Sequence, residues 1–238
     1  MLEYVPLNLK DKLFGSYFYI PCDTGYFNDF GKPIIVSAKE HAPEISVHFH
    51  IFDMTKSDQE FCNLHNISYT SEITPNGDDD FKKAFWVNIR FCRVPEIFTD
   101  NSYVMAIDVD SIFNDYVSLS EFTNDLSSDW VAMRSKGYGA LGGCVGFTAN
   151  GNGRYLLKEE IIKQGKEIGL AWFMDQVILD KLVDEKLIDT FTMKYVDYHC
   201  ATTSKIWTGK GAKKYYRDNY KPDGKKNRFA NAVIKYKE

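Results

Sequence analysis

The stretch Tyr103–Phe113, YVMAIDVDSIF, constrains this chain more than any other. It opens as an unbroken apolar run of the kind a strand buried on both faces requires, and it ends abruptly in two aspartates one residue apart. Such a strand needs helices on both sides of its sheet, the arrangement of an α/β domain. Strand side chains alternate, so Asp108 and Asp110 are expected to point the same way at the strand's carboxyl end. In open α/β sheets that edge is where ligands bind.

The rest of the chain fits the same architecture. Ser16–Cys22, Ile45–Phe52, Trp130–Met133 and Cys144–Thr148 read as further strands, with another within Phe191–Tyr198. Helical spacing is clearest at Arg154–Lys166 and Phe173–Leu187, where Met174, Val177, Ile178, Leu182 and Val183 recur on one face; shorter helices are predicted at Ser57–His65 and Lys82–Phe91. No repeat, low-complexity segment or Pro/Gly-rich linker divides the 238 residues. We therefore expect one α/β domain with a mostly parallel central sheet flanked by helices. At 44% hydrophobic and 26% charged residues, the composition excludes disordered and fibrous classes.

The opening MLEYVPLNLKDKLF has no basic region followed by an apolar stretch, and no window approaches 18 uninterrupted apolar residues. No signal peptide or membrane span is expected, and the chain reads as cytoplasmic. Its five cysteines are scattered, odd in number and free of any C-x-x-C pair, which argues for reduced thiols and against a structural zinc site. Charge is unevenly spread. From Lys205 onward there are eleven Lys or Arg against three acids, so with a net charge of −4 the first 204 residues carry −12. A basic tail can serve nucleic acid, anionic lipid or a phosphorylated ligand, or simply be solvated.

Two hard oxygen ligands that leave positions for water and phosphate oxygens suit Mn²⁺ or Mg²⁺. The spacing alone discriminates little, because Asp78 and Asp80 in the loop GDDDF form a second such pair. Context does more: aspartates that close a fully apolar strand need a partner such as a cation. The alternative is a pair of turn or helix caps.

The order of six short segments carries a family resemblance. YIPCDTGYF (Tyr19–Phe27) is similar to a strand-then-loop segment that holds a nucleotide base and ribose. IIVSAKEHAPEISVHFHIFD (Ile34–Asp53) follows as a second strand unit, and NIRFCRVPEIFTDNSYVMAIDVD (Asn88–Asp110) as an Arg-bearing helix leading into a D-x-D strand. LGGCVGFTANGNG (Leu141–Gly153), WFMDQVILD (Trp172–Asp180) and KIWTGKGAKK (Lys205–Lys214) complete the series. In this order they resemble the GT-A fold glycosyltransferases, nearest to the family 8 group that includes glycogenin and lipopolysaccharide galactosyltransferases.

The resemblance implies a metal-dependent transfer of a sugar from a nucleoside diphosphate, UDP for preference, to a glycan or other hydroxyl acceptor, with retention. It implies that Asp108 and Asp110 hold Mn²⁺ or Mg²⁺ and that Asp175 and Gln176 act beside the anomeric carbon. Asp23 and Tyr26 would hold the base and ribose, although CDTG is also good turn chemistry. Arg90 would reach the ribose or donor sugar, with Arg93 competing for that role. Gly142 and Gly143 would let the backbone approach the sugar, and Lys210 and Lys213 would contact the diphosphate from a closing segment, 205–238, that belongs to the same domain as a catalytic part spanning 1–204. Trp207 is expected as a lid.

Two departures matter. Where the family places a histidine ligand before the Gly of its closing loop, this chain has Ile206 and Trp207, which leaves His199 as the substitute. Val177 stands where an acid often follows Asp-Gln. His48 and His50 share a strand face and read as core edge. Two rival readings stay open: a metal-dependent nucleotidyltransferase, against which PCDTGYF lacks a Gly-rich basic loop, and a non-catalytic nucleotide- or nucleic-acid-binding protein using the tail. No nucleic-acid partner is expected on the preferred reading.

Overall fold

The computed structural model describes residues 2–133, 139–191, 196–197, 204–208 and 224–237. Its frame is a seven-stranded sheet in the order β3-β2-β1-β4-β7-β6-β8, formed by β1 (Ser16–Asp23), β2 (Ser46–Phe52), β3 (Ser68–Glu72), β4 (Tyr103–Ile107), β6 (Trp130–Met133), β7 (Ala140–Phe147) and β8 (Asp189–Phe191). β1 pairs in parallel with both β2 and β4, and β2 with β3. β7 alone runs against its neighbours, antiparallel to β4 and β6, while β6 and β8 are parallel. A second, three-stranded sheet joins β5 (Ser111–Phe113), β10 (Ile206–Thr208) and β9 (Val196–Asp197).

The expected mixed α/β domain with a mostly parallel sheet is thus what the chain forms. Burial of both sheet faces explains the apolar runs. Phe18, Ile20 and Cys22 of β1 enter one core cluster, shared with helix α1 (Thr24–His41) and the residues after β4, whereas Tyr19 enters the other. The second cluster packs under α3 (Asp79–Ile97), α5 (Gly153–Glu167) and α6 (Met174–Asp184). α2 (Lys56–Leu64) and α4 (Leu119–Asp125) complete the first face, where the last helix, α7 (Gly224–Lys237), packs on α1. Each fully buried Phe or Ile contributes roughly 1.5–3 kcal/mol through lost water contact. No helix among the described residues is long and apolar enough to cross a membrane.

Two expectations need correction. The segment after β1 is not a loop: Asp23 caps α1, its carboxylate accepting from the Tyr26 N–H at 3.0 Å, and the helix runs for 18 residues. GDDDF is not a loop either, because Asp78 caps α3 and Asp79 and Asp80 fill its first turn, where the helix dipole favours acids. Its helix is therefore longer at both ends than Lys82–Phe91. Asp108 and Asp110 lie in the bend between β4 and β5, just past the strand itself.

Candidate functional site

A cavity of about 680 Å³ opens at the carboxyl ends of β1 and β4. Among the described residues its wall brings together nine positions singled out in the sequence: Asp23 and Tyr26 from the β1–α1 junction, Arg90 from α3, Asp108 and Asp110 after β4, Gly142 and Gly143 in β7, and Asp175 and Gln176 at the start of α6. His199, Lys210 and Lys213 lie outside the described residues. Trp207 is not on the cavity wall; it sits in β10 opposite Ile112 and packs against the first core cluster, so it is not a lid in this arrangement.

Each side chain owes its position to a local feature. β4 ends where the Asp108 N–H donates to the Gly143 carbonyl at 3.2 Å, which ties the acid-bearing bend to β7. Val109, between the two acids, is buried in the core, and this leaves its neighbours on the cavity side. Arg90 is the hub. Its Nη1 donates to Asp108 Oδ1 at 2.8 Å, and its Nη2 to the Gly142 carbonyl at 3.0 Å and to Asp175 Oδ2 at 3.2 Å. One guanidinium therefore links α3, the end of β4, β7 and α6, a role its planar fork suits. Burial works against its charge, but Asp108 and Asp175 outweigh that and hold its pKa above the ordinary arginine value. Arg93, three residues on, is committed elsewhere: it bonds Glu72 and Glu96 in a buried cluster with Tyr4, away from the cavity wall.

Asp175 is the most enclosed acid here, with a side chain only 1% exposed. Burial raises its pKa above the usual aspartate range despite the pull of Arg90. Its Oδ2 faces Arg90, while its Oδ1 is buried with no hydrogen-bond partner among the described residues. An orphaned carboxylate oxygen at a cavity wall is a group left for a ligand to satisfy. At the other end, the Tyr26 phenol is pushed up to about 12, by burial first and then by Asp110, Asp23 and Asp108. Those three carboxylates thus gather negative potential at one point, which a bound cation would relieve. Asp108 and Asp110 are the wall carboxylates that could hold a hard divalent ion; no group of three or more potential ligands occurs among the described residues.

Other wall residues carry charges and rings to which the sequence assigned no role at the site. Lys82, Lys83 and Trp86 face the cavity from α3, and Trp172 and Phe173 from the turn before α6. Lys82, Trp86 and Arg90 recur every fourth residue, so a helix starting at Asp79 would have revealed their shared face. Phe173 gives no such signal. It adopts the left-handed conformation at φ 67°, a backbone that costs a non-glycine residue roughly 1–2 kcal/mol.

The sheet order, the antiparallel β7 beside β4 and the acid-lined cavity at the strand ends belong to a mixed α/β domain with a seven-stranded, mostly parallel sheet. A solved structure shares it: the glycosyltransferase GlyE of Streptococcus pneumoniae TIGR4 matches with a TM-score of 0.64 over 93% of this chain, at 14% sequence identity. This chain spans 61% of that protein's length, and the likeness is one of fold. No family model and no curated protein match the sequence.

Proposed function

We propose that this protein is a glycosyltransferase that moves a sugar from a nucleoside diphosphate, UDP in the reading preferred here, to a hydroxyl acceptor. The observation that carries the proposal is the convergence of Asp23, Tyr26, Asp108, Asp110, Asp175 and Gln176 on one cavity, in a fold shared with a glycosyltransferase.

Each end of the cavity has its own chemistry. Asp23 and Tyr26 offer a carboxylate acceptor and an aromatic ring to the base and ribose. Asp108 and Asp110 would hold Mn²⁺ or Mg²⁺, which when bound neutralises the charge of the departing diphosphate. Arg90 holds Asp108 and Asp175 at fixed positions and supplies a permanent positive charge between them. Gly143 puts no side chain on the β7 side of the wall, so a sugar ring can lie against the backbone there, while the space over Gly142 admits the contact between Asp175 and Arg90. Asp175 and Gln176 then flank the carbon on which positive charge develops: the carboxylate stabilises that charge and the amide orients the reacting hydroxyls. Retention of anomeric configuration follows from the motif resemblance, and Lys210 and Lys213 remain proposed diphosphate contacts on the same basis.

The test is a panel of nucleotide sugars incubated with Mn²⁺, with release of nucleoside diphosphate measured by chromatography. One donor is expected to turn over in a manner abolished by EDTA, and Asp110→Asn is expected to lower kcat/KM by about 100-fold or more. Unchanged turnover or unchanged UDP affinity in Asp110→Asn would remove the acid pair from the mechanism.

A further inference from the structure

Asn88 precedes Arg90 by two residues in α3 and is fully buried, an unusual place for a polar side chain that is a weak helix former. Both of its amide hydrogens are spent on carbonyl oxygens: Nδ2 donates to Ala84, one turn back in its own helix, at 2.7 Å, and to Ala171 at 3.0 Å. Two acceptors fix which way the amide points, since its nitrogen must face them. Its Oδ1 is then left buried without a hydrogen-bond partner. Such an oxygen costs folding free energy, and a leucine of similar size would avoid that cost. Asn88 is therefore poor core packing, and what it secures is the Ala171 carbonyl.

That carbonyl lies at the entry to α6, where the usual anchors are missing. Phe173, the residue before the helix, makes no side-chain capping bond and holds the left-handed backbone noted above, a conformation that persists only where its surroundings enforce it. Trp172 and Phe173 pack edge to face on each other but are each 50% exposed, so burial of their rings holds the turn only in part. Met174 is buried in the second core cluster and keeps the helix down, yet an apolar contact is non-directional and does not set how the turn is rotated. Direction comes from hydrogen bonds. The Met174 N–H closes the turn on the Ala171 carbonyl at 3.2 Å, the Gln176 N–H returns to the Phe173 carbonyl at 3.1 Å, and Asn88 ties the Ala171 end of this unit to α3.

We infer that Asn88 is a positioning residue: by holding the Ala171 carbonyl it sets the turn that carries Asp175 and Gln176 onto the cavity wall. Its kinetic consequence rests on the glycosyl-transfer reading, and its conformational consequence does not. α3 grips the entry of α6 at two points, the Ala171 backbone through Asn88 and the Asp175 carboxylate through Arg90. One attachment fixes a point, and two fix a direction, so Arg90 alone would leave the first turn of α6 free to swing about Asp175. The nucleotide end is built from other elements, with Asp23 and Tyr26 at the β1–α1 junction and the acid pair after β4. Loss of the Asn88 link therefore displaces Asp175 and Gln176 relative to a bound donor without touching the groups that hold the nucleotide.

The test is Asn88→Leu, which removes both donors and the unpaired oxygen at nearly constant volume; Asn88→Ala removes them without added bulk and is read in the same way. The Ala171 carbonyl keeps the Met174 N–H, and Ala84 keeps its bond within the helix, so neither acceptor is orphaned and the melting temperature of Asn88→Leu is expected at or above that of the parent. Against that unchanged stability, kcat is expected to fall about tenfold while the dissociation constant of UDP with Mn²⁺, measured by calorimetry, stays within about twofold. The indole N–H resonance of Trp172, identified by its loss in Trp172→Phe, is expected to shift or broaden in Asn88→Leu. A parental kcat or an unmoved Trp172 resonance would overturn the inference, as would a loss of turnover matched by an equal loss of UDP affinity or by a fall in melting temperature. If the parent turns over no nucleotide sugar, the transferase reading fails, and the Trp172 resonance alone decides whether Asn88 holds the turn.

Discussion

At Gly142 a Cβ would stand 2.5 Å from Asp175 Oδ2 and 3.2 Å from Arg90 Nη2, inside the contact that locks α3 to α6. Neither partner has room to retreat, because Asp175 is buried and Arg90 is also bound to Asp108 and to the Gly142 carbonyl itself. Gly142→Ala is therefore expected to lower turnover by about 100-fold while the chain still folds. Gly146, four residues along the same strand, gives the control: a Cβ there would meet Leu126 and Trp130 at 2.5 Å, in the core and away from the cavity wall. Gly146→Ala should lower the melting temperature with little change in donor affinity, so kinetics and thermal melts on the two variants separate site from scaffold. The sequence marked Gly142 as a place for close approach, but the atom approached was hidden. A glycine in a strand says only that a side chain is missing; which group fills its place depends on elements 33 and 52 residues away, at Asp175 and Arg90.

Between β2 and β3 a chain of polar side chains crosses a buried seam. His48 contacts Ser68 Oγ at 2.7 Å and Thr70 Oγ1 at 3.1 Å, and His50 contacts Thr70 Oγ1 at 2.8 Å and Glu72 Oε1 at 2.9 Å. Burial, and then the neighbouring His50, push the His48 imidazole down to about 3. In the unfolded chain it titrates near 6.5, so on acidification the unfolded state takes up the proton first. The stability this ring contributes is complete above about pH 6.5 and is lost as pH falls toward 3. Melting temperatures should therefore fall across that window, and His48→Asn should flatten the slope; calorimetric scans from pH 7.5 to 4 would read it. The reading of these histidines as core edge was available from their period of two. Helix α1 was not legible in the same way. Gly25, Gly31 and Pro33 depress its intrinsic helicity, and what holds it is tertiary: Phe27, Phe30, Ile34, Ile35 and Ala38 are buried against the sheet.

For the molecule as a whole, a ligand that binds only the folded state raises its stability in proportion to the logarithm of ligand concentration. UDP with Mn²⁺ at about 100 times its dissociation constant should add about 2.7 kcal/mol, or roughly 5–10 °C in melting temperature for a chain of this size. EDTA should return the curve to that of the free protein, and differential scanning fluorimetry suffices to follow both. That expectation assumes the two ends of the cavity act together, and here the division between sequence and structure is plain. The sequence by itself determined the mostly parallel α/β domain and the acids at the end of β4, because apolar runs, alternation and strand-end charges are local properties written into consecutive residues. It also marked Asp23, Arg90, Gly142 and Asp175, but as separate points along the chain. Only the tertiary structure decided that Arg90 bonds Asp108 and Asp175 at once, that Arg93 belongs to another cluster, and that Trp172 and Phe173 face the same cavity as Asp108. Those relations join residues tens of positions apart, and they exist only once helices and strands have packed on both faces of the sheet and fixed which side chains meet.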